Sequence, residues 1–98
     1  MHVQITALHN LKLSPSLANH VQEKFKKLER HFSRITKTHV TLEVDKKFQQ
    51  KAKADMNLQG GGTIAASCIS VDMYASIDML IEKLDEQIIK YKNKLTER

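Results

Sequence analysis

The sequence DMYASIDMLIEKL at residues 72–84 decides the fold, because it opens a long amphipathic helix. Asp72 is well placed to cap this helix, since an N-cap carboxylate accepts a hydrogen bond from a free backbone N–H of the first turn. The predicted apolar stripe comprises Ile77, Ile81, Leu84, Ile88, Tyr91 and Leu95. The polar flank of the helix carries lysines. The segment therefore predicts a helix that docks on a sheet with one side and faces something acidic with another.

A second amphipathic helix is predicted earlier in the chain. Ser14 followed by Pro15 is typical of a helix start, because serine caps the first turn and proline has no N–H that the first turn would need. Apolar residues then recur at spacings of four and three, namely Leu17, Val21, Phe25, Leu28 and Phe32. This periodicity predicts one buried stripe over about four turns.

Four segments with strand character complete the domain. Alternation of apolar and polar residues predicts strands at 2–8 and 40–45, and a third in which Phe48, Ala52, Ala54, Met56 and Leu58 face inward. Three glycines at 60–62 predict a hairpin turn rather than a phosphate-binding loop, and residues 63–71 form a fourth strand of undecided parity. The order strand, helix, three strands, helix predicts an α+β fold with both helices on one face of a mostly antiparallel four-stranded sheet.

Length and composition limit the possibilities. A chain of 98 residues predicts one domain, at residues 1–95, followed by a short frayed C-terminus at 96–98. No export signal or membrane-spanning run is visible, so we expect a cytoplasmic protein with no membrane partner. Cys68 is the only cysteine, and we expect a buried spectator thiol.

The sequence gives no indication of catalysis, of a cofactor or of a metal site. The histidines never adopt the i, i+4 spacing that places two ligands on one helical turn. No serine or cysteine lies in a recognisable nucleophile motif. We therefore expect a protein that is not an enzyme.

Cationic lines at helical spacing carry the stronger signal in a chain of net charge +5. One line on the first helix comprises His20, Lys24, Lys27, His31 and Arg34, and one on the last comprises Lys83, Lys90 and Lys94 with Gln87 between them. If the helices pack side by side, the lines are expected to merge into one basic groove that contacts successive phosphates of structured RNA. A solvated helix face is the ordinary alternative. Tyr74 and Tyr91 are expected to pack the last helix rather than to stack on bases.

The chain resembles the family of ribosome hibernation promoting factors and ribosome-associated inhibitors, also called sigma-54 modulation proteins. The pattern Asp-Met-Tyr-Ala-x-Ile-Asp-x-Leu-Ile-x-Lys-Leu at 72–84 is the most specific match. Shorter matches are Ile5-Thr6, the stretch KFKKLE at 24–29, Ala54-Asp55, and Gln87 with Lys90. The resemblance covers nearly the whole chain in order.

This resemblance implies a β-α-β-β-β-α fold similar to double-stranded RNA-binding domains. It also implies binding to the small ribosomal subunit in the mRNA and tRNA channel, inhibition of translation and promotion of inactive ribosome dimers. The implied rRNA-binding residues are Lys24, Lys27, Lys83 and Lys90, with Arg34, Lys92 and Lys94 in second rank. Glu86 departs from the family pattern, which often has arginine there, so we expect either that one phosphate contact is weakened or that Glu86 pairs with Lys83 or Lys90.

The chain resembles the short members of the family, which have no further domain after the last helix. This similarity implies that a separate ribosome modulation factor completes the dimers and that the protein itself is monomeric. Two alternatives from the residues alone remain open. One is a protein-interaction module that modulates another regulator, and the other is a generic binder of structured RNA.

Overall fold

The computed structural model describes residues 2–9, 11–45, 47 and 49–96, without the side chains of His9, Leu95 and Thr96. Its elements follow the order strand, helix, three strands, helix. They are β1 (His2–His9), α1 (Pro15–His31), β2 (Ile35–Val44), β3 (Gln50–Leu58), β4 (Thr63–Ser70) and α2 (Met73–Thr96). The expected α+β architecture is confirmed. The expectation of a frayed end at 96–98 mostly concerns residues outside this described part.

The sheet is mixed and has the strand order β1-β2-β3-β4. β1 pairs with β2 in parallel, because α1 carries the chain back across the sheet between them. β2 pairs with β3, and β3 with β4, in antiparallel register. Gly60 and Gly61 adopt φ angles of 96° and 100° in the β3–β4 connection, which confirms the hairpin turn.

Both helices cover one face of the sheet and share a single core. Phe25 and Leu28 of α1, Val40 and Leu42 of β2, and Met56 of β3 belong to this one cluster of buried residues. α2 contributes its most deeply buried side chains to the same cluster, at Ile77, Leu80, Leu84 and Ile88. The predicted stripe of α2 is confirmed at Ile77, Leu84 and Ile88, and Ile81 and Tyr91 pack half-buried against the core, but the prediction omitted the buried Leu80.

The helix starts follow the predicted capping. The Ser14 hydroxyl accepts a hydrogen bond from the Leu17 backbone N–H at 3.1 Å, and Pro15 takes the first helical position. Asp72 caps α2 by accepting from the Ala75 N–H at 3.3 Å. These bonds satisfy donors that the first turn of a helix leaves without an intrahelical partner.

The start of β2 differs from the sequence prediction, and the structure decides the parity of β4, which the sequence left open. β2 begins at Ile35 rather than Val40, because a register shift between Ile35 and Lys37 lets both Ile35 and the later alternating residues face the core. β3 begins at Gln50, and Phe48 lies outside the described residues. In β4 the even-numbered residues face inward, which buries Cys68 as expected and leaves Ile69 50% exposed.

Neither helix in the described part of the chain combines the length and the apolar character that crossing a membrane requires.

Candidate nucleic-acid interface

The side of α2 that faces α1 carries Asp78 and Asp85, which contact the cationic line of α1. We call this contact the acidic seam. His20 Nε2 lies 2.8 Å from Asp78 Oδ1, and Lys24 Nζ lies 3.5 Å from the same oxygen. Tyr74 continues the seam by edge packing on His20, with ring centroids 4.9 Å apart, and its hydroxyl lies 3.0 Å from Ser16 Oγ. Part of the positive charge predicted for α1 is therefore compensated within the domain.

The seam continues one heptad further along α2. His31 Nδ1 lies 3.3 Å from Asp85 Oδ1, and Lys92 Nζ donates to the His31 backbone carbonyl at 3.0 Å. Asp78, Asp85 and Lys92 recur every seven residues, so they occupy one side of α2. Lys92 thus helps to hold the C-terminal end of α1.

Lys27 and Arg34 lie at the solvent-exposed margin of the side where α1 contacts α2. Lys27 belongs to the same helical line as Lys24 and is exposed. Arg34 is exposed in the turn between α1 and β2, where its backbone carbonyl accepts from the Gln59 N–H at 2.7 Å. The Lys27 ammonium group and the Arg34 guanidinium group can therefore contact an external anion.

The other flank of α2 covers the free edge of β4. Lys83 Nζ donates to the Ser67 carbonyl at 3.1 Å, and Gln87 Nε2 donates to the Ala65 carbonyl at 2.8 Å. Because β4 is an edge strand, these carbonyls have no partner strand, and the two side chains protect the edge from pairing with another chain. Lys83 therefore has a structural contact as well as its predicted role.

Lys90 and Lys94 extend the β4 flank toward the end of α2. They line a surface pocket together with Thr63, Gln87 and Tyr91. The Tyr91 ring packs edge-on against Phe32, with centroids 5.8 Å apart, which confirms a packing role for this tyrosine. Among the described residues no acidic side chain lines this pocket, and Lys90 and Lys94 are both exposed.

The expected merging of the two cationic lines into one groove was wrong. The α1 line meets Asp78 and Asp85 on one side of α2, whereas Lys83, Lys90 and Lys94 lie on the β4 side. Asp85 and Gln87 are two residues apart, which corresponds to about 200° around the helix axis. The candidate residues therefore form two basic surfaces. One lies beside α1 and includes Lys24, Lys27 and Arg34, and the other lies beside β4 and includes Lys83, Lys90 and Lys94. The solvent-facing side of α2, its outer face, separates them.

Sequence reasoning missed the acidic side of the seam. The sequence analysis assigned no partner to Asp78 or Asp85, and their partners lie on α1. The available signal was the match between the spacing of seven on α2 and the shared face of His20 and His31 on α1. Glu86 is exposed and makes no ion pair with Lys83 or Lys90 among the described residues.

Within the described residues no group of three or more His, Cys, Asp or Glu side chains is placed to hold a metal ion. The chemistry available at the two surfaces is that of ammonium and guanidinium groups, which bind anions.

Comparison with known proteins identifies the family. The chain is 43% identical to a ribosome hibernation promoting factor of Azotobacter vinelandii over all of this chain and 89% of the relative. It is 45% identical to the factor of Klebsiella oxytoca, with 97% of each chain covered. A ribosomal subunit interface protein from Coxiella burnetii superposes with a TM-score of 0.86 at 31% identity, over 95% of this chain and 99% of that one.

The N-terminal domain of Thermus thermophilus Protein Y shares the fold, with a TM-score of 0.81 at 23% identity, over 93% of this chain and 99% of that domain. The sequence model of the family of sigma 54 modulation proteins and S30EA ribosomal proteins matches residues 3–96 of this chain. Members of this family are not enzymes, as the sequence led us to expect. The chain belongs to the sigma 54 modulation protein / S30EA ribosomal protein family.

Proposed function

We propose that this protein is a ribosome hibernation factor that binds the small ribosomal subunit in the mRNA and tRNA channel. Bound there, it inhibits translation and, with a separate ribosome modulation factor, promotes inactive ribosome dimers in the cytoplasm. The observation that carries the proposal is the identity of 39–45% with ribosome hibernation promoting factors along nearly the full length of this chain.

The two basic surfaces of the helical layer support this proposal. Each presents ammonium groups at intervals of one or two helical turns, which suits contact with successive phosphates of folded rRNA. The outer face of the sheet carries both signs, with Lys37 and Lys53 beside Asp55 and an ion pair of 3.8 Å between Lys51 and Glu43. The helical layer is therefore the side that faces a polyanion.

Sedimentation of purified small subunits tests the site. We expect the wild-type protein to co-sediment and the variant K24E/K27E/K83E/K90E to remain in the supernatant, because reversed charges repel the phosphates. The control variant K12E/K37E/K47E/K53E changes the same net charge at exposed positions off the helical layer and should still co-sediment. Equal sedimentation of the two variants would show that the named lysines are not the site.

A second candidate has a specific observation in its favour, because the family description names modulation of sigma 54. A regulator complex of that kind survives nuclease treatment, whereas rRNA-dependent association does not. Pull-down with and without ribonuclease separates the two functions.

A further inference from the structure

The outer face of α2 comprises Met79, Glu82, Glu86, Ile89 and Asn93, at spacings of three and four. It lies between the two basic surfaces, and its five residues are exposed. Met79 is 43% exposed and Ile89 is 51% exposed, so the face presents two large apolar side chains to solvent on either side of its carboxylates. The face spans about 15 Å from Met79 to Ile89 at 1.5 Å per residue.

The charged residues of this face are both acidic, whereas Lys83, Lys90 and Lys94 lie on its β4 side. Glu82 and Glu86 are exposed, and neither has an ion-pair partner among the described residues. Lys83 is directed to the Ser67 carbonyl, and Lys90 lines the pocket beside Tyr91. The two carboxylates stand one turn apart, where like charges repel each other.

We propose that the outer face of α2 docks a short basic protein segment of the small subunit, whose cations pair with Glu82 and Glu86 and whose aliphatic groups cover Met79 and Ile89. This inference rests on the function proposed above. The alternative occupants fit less well. RNA phosphates are repelled by two carboxylates in the middle of the face.

A second copy of this chain fits poorly for two reasons. A two-fold contact through this face would bring the same carboxylates together. A strip of about 15 Å also buries far less than the roughly 1,200 Å² typical of a stable interface. A short segment needs no large area, because the basic surfaces on either side already hold the domain on the subunit.

Neutralising the carboxylates separates a protein contact from an RNA contact. We expect E82Q/E86Q to bind intact small subunits about fivefold to tenfold more weakly than wild type, since two exposed charge pairs are lost. Binding of the same variant to protein-free small-subunit rRNA should be unchanged or tighter, because the domain becomes more cationic. The control E23Q/D55N removes the same charge from other exposed positions and should not weaken subunit binding.

Unchanged or tighter binding of E82Q/E86Q to intact subunits would overturn the inference. A photo-crosslinking amino acid at Met79 gives an independent answer, because we expect its product on the subunit to be a protein and a product with rRNA alone would also overturn it. If wild-type protein does not sediment with subunits, the proposed function and this inference both fail. If only the K24E/K27E/K83E/K90E variant loses binding, the proposed function stands and this inference falls.

Discussion

Ser76 is fully buried near the start of α2, and its hydroxyl donates to the Gln50 carbonyl of β3 at 2.6 Å. The same hydroxyl lies 3.1 Å from Ser70 Oγ at the end of β4. These contacts fix the first turns of α2 against two strands, upstream of Lys83 and Lys90. The position of the β4 flank thus depends on a small polar residue inside the core.

Ser76→Ala should lower the free energy of unfolding by about 1–2 kcal/mol, because the Gln50 carbonyl loses this buried donor. Ser67→Ala is the matched control, since the Ser67 side chain is exposed and the substitution should change stability by less than about 0.5 kcal/mol. Urea denaturation followed by circular dichroism measures both. Equal stability of the two variants would mean that the buried hydroxyl contributes nothing.

The sequence did not indicate this role for Ser76. A serine inside an amphipathic stretch suggests an exposed position, and its acceptor belongs to a strand 26 residues earlier in the chain. The N-cap at Asp72 was predictable because donor and acceptor lie within one turn. Local hydrogen bonds could be inferred from spacing, whereas those between elements required the packed fold.

At the scale of elements, α2 contacts every other part of the helical side of the molecule and so positions both basic surfaces. Its buried side holds the sheet, one flank binds α1 through Asp78 and Asp85, and the other covers the β4 edge with Lys83 and Gln87. Periodicity predicted the two helices and their buried stripes. It could not predict the separation of the cationic lines, because this separation depends on which flank of α2 faces α1.

The two basic surfaces are expected to contribute unequally to RNA binding. K90E/K94E should weaken binding to small subunits more than K24E/K27E, because Lys24 already lies beside Asp78, whereas no acidic side chain of the described residues lines the pocket of Lys90 and Lys94. Each double variant changes the charge by the same amount, so each is the control for the other. Dissociation constants from a filtration assay decide the order, and a greater loss in K24E/K27E would contradict it.

For the molecule as a whole, the net charge of +5 is distributed unevenly between the helical layer and the outer face of the sheet. The seven candidate cations belong to the helical layer or to its connection to β2, and the outer face of the sheet mixes both signs. Association with rRNA should therefore be driven by release of counterions from the phosphates. A protein held through the apolar groups of the outer face of α2 alone would not show this dependence.

The salt dependence of the association constant measures how many of these cations neutralise phosphates. Seven contacts at a slope of about 0.9 each set an upper limit of about six for the fall of log K against log salt. We expect a slope of about −3 to −5 for small subunits at constant magnesium, since Lys24 lies 3.5 Å from a carboxylate and Lys92 donates to a backbone carbonyl. K24E/K27E/K83E/K90E should flatten it. A wild-type slope near zero would contradict phosphate binding by the helical layer, because every lysine or arginine that neutralises a phosphate releases counterions and thereby makes the association constant depend on salt.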